Sequence, residues 1–205
     1  MHAIYCAGEQ GEVVLDILRN NGVSDNVVFL DENTDLHGNE IEGVPIIGDI
    51  TAVDRYDKEF QFIVAYGDRQ GVRLDIAKRI EDVGYDFFSA LHSDTTISET
   101  ATLGKGVTVN ARSYLGPDVH IGDHVLVDSC VNISHDVELK PGATITPNAT
   151  LAGGVSIGRD AYVGPGATIV EDVTIGPDVL VGAGAVVIES VDKGTTVGGI
   201  PAEPL

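Results

Sequence analysis

The stretch Val131–Glu138, VNISHDVE, sets an imidazole beside a carboxylate, His135 and Asp136, in a run otherwise built of small residues. A neutral imidazole is a general base near neutral pH, and an adjacent carboxylate can fix its tautomer and stabilise the imidazolium it becomes. The same histidine could instead be a solvated surface residue, and the pair alone does not choose. Two other stretches could bind an anion. Gly8-Glu9-Gln10-Gly11 has the strand–glycine–glycine–helix order of a phosphate-cradling turn at a helix N-terminus, although Glu9 would repel a phosphate and any tight turn into a helix uses glycine. Asp68-Arg69-Gln70, followed by Arg73, Lys78 and Arg79, gathers four of the twelve cations at the C-terminal end of a strand, where open α/β sheets bind ligands. The other reading of that cluster is a helix surface on which Asp75 neutralises Lys78 and Arg79.

The elements that position His135 follow from an internal repeat. From Ile97 to Asp192 the chain divides into sixteen consecutive hexads without insertion, from ISETAT to VIESVD. Their first residue is always Ile, Leu or Val, and their fifth is Ala or Val except at Ser113, so the period is six and excludes both an amphipathic helix and an ordinary alternating strand. Such a period suits a coil in which each hexad makes one short strand and one turn, with the first and fifth residues inside and Gly, Pro, Asn and Asp at the corners. Three hexads to a turn makes eighteen residues, and sixteen hexads then give a little over five turns. On that count Gly153 stacks one rung above His135, where Gly153-Gly154 allows close approach and a free backbone N–H could hold an oxyanion.

Residues 1–96 differ. HAIYCAG reads as a buried strand, VVLDILRNNG as a helix ending at Gly22, NVVFLDEN as a second strand, FQFIVAYGD as a third, GVRLDIAKRIEDVG as a helix closed by Gly84, and YDFFSALH as a fourth strand. This alternation predicts a small Rossmann-like parallel α/β domain over 1–94, with the coil over 95–205.

The charge is extreme: 32 acidic against 12 basic residues give −20, with 20 Asp and only five Lys. That surface repels nucleic acid and anionic membranes. Asp excess with Lys depletion matches a protein adapted to concentrated salt, where the Debye length falls to about 3 Å; an ordinary acidic protein is the alternative. No apolar run is long enough for a membrane span and the N-terminus lacks a signal-peptide pattern, so the expected location is cytoplasmic. Cys6 and Cys130 have no metal or disulfide spacing and are expected to be buried thiols. A zinc hydratase on such a coil would need three converging histidines, but His120, His124 and His135 occupy different places of their hexads and do not stack. The expectation is no metal.

The order of an AG-x-x-GE turn, LDEN, VPIIGD, AYGDRQGVR, LHSDTTIS, the hexads around VNISHDVELKPGATITPNATLAGGVSIG and a closing GGIPA resembles the sugar acetyltransferases of the sialic-acid O-acetyltransferase type, over nearly the whole chain. They include enzymes that N-acetylate nucleotide-linked amino-dideoxy sugars. The resemblance implies a left-handed parallel β-helix, a homotrimer, acetyl-CoA lying along the coil between subunits, and a nucleotide sugar held by the N-terminal domain. It makes His135 the base, Asp136 its orienting partner and Gly153 the oxyanion donor, with Ala152, Gly153 and Gly154 beside acetyl-CoA. Gly8, Gly11, Asp31, Asp68, Arg69 and Arg73 would hold the nucleotide sugar. The family turn usually reads G-G-H-G, whereas Glu9-Gln10-Gly11 fill its last three places here; Ser134 stands where a glycine or small polar residue is common, and Thr144 where some members carry a second histidine. The expected activity is N-acetylation of a nucleotide-activated amino sugar; O-acetylation of a sugar such as sialic acid and a non-catalytic scaffold are the alternatives.

Overall fold

A computed structural model describes residues 1–23, 25–56, 59–67 and 71–205, in two compact units, Met1–Ala90 and Leu91–Leu205. In the first unit, strands β1 (His2–Tyr5), β2 (Val27–Leu30), β5 (Gln61–Val64) and β6 (Asp86–Phe87) form one parallel sheet in the order β2-β1-β5-β6. β2 is buried along its whole length, as suits a parallel strand covered on both faces. Helix α1 (Glu9–Asn20) buries Val14, Leu15, Ile17 and Leu18. It ends where Gly22, at φ +79°, lets Val23 N–H reach the Leu18 carbonyl at 2.8 Å. A short antiparallel hairpin, β3 (Glu40–Ile41) and β4 (Val44–Pro45), and helix α2 (Val72–Asp82) complete the unit. Gly11 is a packing glycine: a Cβ there would lie 2.5 Å from the Cys6 carbonyl oxygen and 3.0 Å from Phe29 Cε1.

The second unit is a three-sided parallel coil. Its faces carry eight, six and five strands; within the hexads each strand joins the sixth residue of one hexad to the first of the next, and beyond them Thr196–Gly198 and an antiparallel Glu203–Pro204 extend the eight-stranded face. Partners in neighbouring rungs are eighteen residues apart, as in Asn132 opposite Thr150 and Ile133 opposite Leu151. From Val107 to Val187 the first and fifth residues form one continuous buried core, apart from Ser113, which is itself buried. The Ser113 hydroxyl donates to the Asp128 carbonyl at 2.7 Å and accepts from Val131 N–H at 3.2 Å, so its buried oxygen is satisfied. In fourteen consecutive hexads, from Gly106 to Gly184, the fourth residue has positive φ. Gly, Asp and Asn tolerate that conformation best, which accounts for the residue type at Asp118, Asp136, Asp160, Asp172 and Asp178 without reference to salt.

Three expectations need correction. YDFFSALH is not one strand: Asp86–Phe87 closes the N-terminal sheet, while Ala90–Leu91 starts a face of the coil. The coil therefore begins before the hexads become regular and continues through Thr196–Gly198, giving about six turns. Cys130 is exposed rather than buried, because it occupies the outward fourth place; Cys6 is half-buried. Burial pushes the Cys6 thiol up to about 12, with the Asp31 carboxylate adding and Arg79 opposing. Among the described residues no helix is long and apolar enough to cross a membrane.

The packing at Gly11 gives a test. Gly11→Ala should lower unfolding stability by about 1–3 kcal/mol through overpacking against backbone. Gly8→Ala, whose Cβ meets nothing within 4 Å, should cost less than about 1 kcal/mol as a weaker helix cap. Urea denaturation of both variants checks this; equal losses would contradict the packing argument.

Candidate active site

His135 is the third residue of its hexad, two beyond the buried Ile133, at a corner of the coil. The ladder fixes its surroundings. Asp136 N–H bonds to the Pro117 carbonyl one rung below at 3.0 Å, and Gly154 N–H bonds to the His135 carbonyl from one rung above at 3.1 Å. With φ at +57°, Asp136 brings its carboxylate back to the imidazole, Oδ2 lying 2.8 Å from Nδ1. Both side chains are 65% exposed, so solutes can reach the pair in the free chain. A carboxylate facing Nδ1 favours the neutral tautomer with the proton there, which leaves the Nε2 lone pair available to accept a proton.

Gly153 completes this corner. A Cβ on it would stand 2.6 Å from His135 Cε1 and 2.8 Å from Nε2, so the imidazole occupies space that any other residue would fill. The neighbouring N–H groups are engaged, Ala152 with the Ile169 carbonyl at 3.0 Å and Gly154 with His135. Among the described residues nothing accepts from Gly153 N–H, which leaves a donor one rung above the imidazole. Thr144 is 6% exposed, and its N–H is held by the Ala161 carbonyl.

The residues expected to hold a sugar nucleotide divide differently. Gly8 caps α1 and is open above, with no side chain near it. Gly11 is occupied by packing, as described. Asp31 has both carboxylate oxygens engaged by backbone: Oδ2 accepts from Ala7 N–H and Oδ1 from Asn33 N–H, each at 2.8 Å. It ties the turn after β1 to the end of β2. Arg73 is 6% exposed and donates from Nη1 to the Tyr66 carbonyl at 2.7 Å, so its guanidinium fastens the end of β5 from inside. Asp68 and Arg69 lie outside the described residues. One group went unread in the sequence: Glu32 accepts from the Tyr5 hydroxyl and from Arg79 Nη2, the latter at 3.3 Å. Burial first, and then the Glu32 carboxylate, raises the Tyr5 phenol. The signal was the second acid of LDEN, directly after Asp31.

Residues 3–80 match the PglD N-terminal domain family and residues 154–189 the bacterial transferase hexapeptide (six repeats) family. The whole chain is similar to a GDP-perosamine N-acetyltransferase of Caulobacter crescentus, solved as a histidine-to-alanine variant with CoA and GDP-perosamine: 31% identity, TM-score 0.92, covering all of this chain and 96% of that one. It is similar to the same degree to the acetyltransferase domain of PglB from Neisseria gonorrhoeae FA1090, solved with acetyl coenzyme A: 32% identity, TM-score 0.93, covering all of this chain and 98% of that one.

The chain belongs to the hexapeptide-repeat sugar acetyltransferases of the amino-sugar type.

As in that family, the coil is of the left-handed β-helix type. A further relative, the uncharacterized protein L142 of Acanthamoeba polyphaga mimivirus, is 30% identical over 124 residues, which are 60% of this chain and 24% of that protein. The chain therefore spans about a quarter of the length of that curated relative.

The close contact between the His135 ring and Gly153 is a measurable property. Nitrogen-15 NMR of the histidines should find His135 protonated at Nδ1 when neutral. Gly153→Ala should displace the ring and lose that signature, with the far-ultraviolet circular dichroism unchanged. A Gly153→Ala protein with the wild-type His135 signal would contradict that contact.

Proposed function

We propose that the protein transfers the acetyl group of acetyl-CoA to the amino group of a nucleotide-activated amino-deoxy sugar. The observation that carries this is the corner at His135: a base oriented by Asp136, seated on Gly153, with one uncommitted backbone N–H beside it. The similar chains of Caulobacter and Neisseria, solved with CoA and GDP-perosamine and with acetyl coenzyme A, support both co-substrates.

His135 Nε2 takes the proton from the attacking amine as its nitrogen bonds to the thioester carbonyl carbon. Asp136 holds the imidazolium that results. Gly153 N–H donates to the carbonyl oxygen as it gains negative charge. The imidazolium then returns its proton to the departing CoA sulfur, so the base is regenerated and the amide and free thiol are the products. The acceptor is held by the N-terminal unit, at the open cap Gly8 and by Asp68 and Arg69, and the acetyl donor lies along Ala152–Gly154. Asp31 and Arg73 act here by positioning: one fixes the turn around Gly8, the other fixes Tyr66 ahead of Asp68. The protein is read as a homotrimer, as the resemblance implies, and as cytoplasmic, from the sequence pattern of its chain.

Two kinetic variants test this reading. His135→Ala should lower kcat by about 10²–10⁴-fold, the usual worth of a general base, with acetyl-CoA binding retained. Arg69→Ala should raise KM for the sugar nucleotide about 10- to 150-fold, as for loss of a charge-assisted contact, and leave that for acetyl-CoA unchanged. Retention of more than about a third of kcat in His135→Ala, with chemistry rate-limiting, would remove the base from the mechanism.

The assembly has its own test. Multi-angle light scattering should give three times the chain mass in concentrated salt, and partial dissociation as salt is removed, because three chains carry −20 each and repulsion grows with the Debye length. A monomer throughout, or a trimer indifferent to salt, would contradict it.

A further inference from the structure

The corner that carries His135 is built from the hexads 97–102, 115–120, 133–138, 151–156, 169–174 and 187–192, whose first residues are stacked by the strand ladder. These six hexads contain eight carboxylates and no Lys or Arg. Beyond Gly153 the same corner presents Glu171 and Asp172 on the next rung and Glu189 on the one after, all exposed. Among the described residues these three make no ion pair. Four of the coil's cations are paired within the chain, Arg112 with Asp94, Arg159 with Asp160 and Lys193 with Asp178 away from these hexads, and Lys140 with Glu138, the sixth residue of the His135 hexad.

A coenzyme A thioester placed with its carbonyl at Gly153 has a pantetheine arm longer than one rung, since rungs are about 4.8 Å apart. If the arm runs along the coil, its diphosphate and 3′-phosphate pass or meet neighbouring rungs of this corner. Toward the C-terminal end those rungs carry Glu171, Asp172 and Glu189; toward the N-terminal end they carry Asp118 and Glu99. Either direction brings like charges together.

We propose, resting on the acetyl-CoA reading, that Glu171, Asp172 and Glu189 are donor-discriminating residues: they repel the phosphates of coenzyme A, so the donor binds tightly only when mobile cations screen this corner. A second copy of the chain is a poor source of the missing positive charge, because it brings a further −20 and most of its coil cations are already paired. Screening rather than a fixed cation site is the requirement. The affinity for the donor then rises with salt, opposite to the usual behaviour of a site that attracts phosphates.

Calorimetric titration of free CoA into the full-length protein, between about 0.1 and 1 M potassium chloride, reads this directly, since the Debye length falls from about 10 to about 3 Å over that range. Circular dichroism at each salt confines the comparison to folded protein. Kd should fall about three- to tenfold as salt rises, the range expected for a few exposed like-charge contacts. Dephospho-CoA should gain less, and acetyl-pantetheine, which has no phosphate, should be nearly indifferent. A Glu171→Gln/Asp172→Asn/Glu189→Gln variant should bind CoA more tightly than wild type at low salt and lose most of the gain. A Kd that rises with salt, or a triple variant that keeps the full gain, would overturn the proposal while leaving the acetyltransferase reading intact. Failure of the folded protein to bind CoA at any salt would overturn that reading instead.

Discussion

Everything at the site depends on one constraint, the eighteen-residue register of the coil. Parallel rungs fixed by backbone hydrogen bonds place residue i under residue i + 18, and the buried first and fifth residues hold that register along the whole prism. The His135 carbonyl is tied to Gly154 N–H and Asp136 N–H to the Pro117 carbonyl, so the backbone under the imidazole cannot drift between rungs. The imidazole then needs a rung above it without a side chain, and Gly153 supplies one. Shifting the hexads by a single residue would exchange core and surface and separate base from donor.

The same register explains why Asp136 can do two things. The fourth place has positive φ in fourteen consecutive hexads, and Asp is among the few residues that adopt it readily. Four other aspartates of the coil occupy this conformation with no imidazole beside them on the chain, so the residue type alone is a consequence of the fold. What distinguishes the corner at 135 is the histidine before the aspartate and the glycine above it. The fold also shapes the charge. Part of the Asp excess that reads as salt adaptation is the coil's own demand for corner residues, while the absence of any Lys or Arg from the hexads around His135 is a separate fact, with its own electrostatic consequence.

Most of the coil, and the meeting of His135, Asp136 and Gly153 at one corner, was legible in the sequence because each place in a hexad has one job and one residue class. The strict period gave the core, the corners and the stacking of 135 with 153. Its ends were not legible: Ala90–Leu91 pairs into the coil without a regular hexad around it, and it follows Asp86–Phe87 with no glycine or proline to mark the change of sheet. In the N-terminal unit residue type was a poorer guide. Gly11 reads the same whether it clears room for a phosphate or for the Cys6 carbonyl, and only the three-dimensional contact distinguishes them. Asp31 at the end of β2 has the place of a ligand-binding acid, yet backbone N–H groups take both its oxygens. Arg73 reads as one of a surface cluster, but on α2 it shares the inward face with Leu74, Ala77 and Ile80 and is buried with them.

The central claim is that this corner acetylates an amine carried by a nucleotide sugar. The most direct measurement is release of free CoA from acetyl-CoA by the wild-type protein, against a panel of nucleotide amino sugars, their hydroxyl counterparts and sialic acid, with the product identified by mass spectrometry. The account predicts rapid CoA release with at least one nucleotide amino sugar and a product bearing one acetyl group on nitrogen. Acetylation confined to hydroxyl acceptors, or no acceptor-dependent CoA release with any member of the panel, would contradict it.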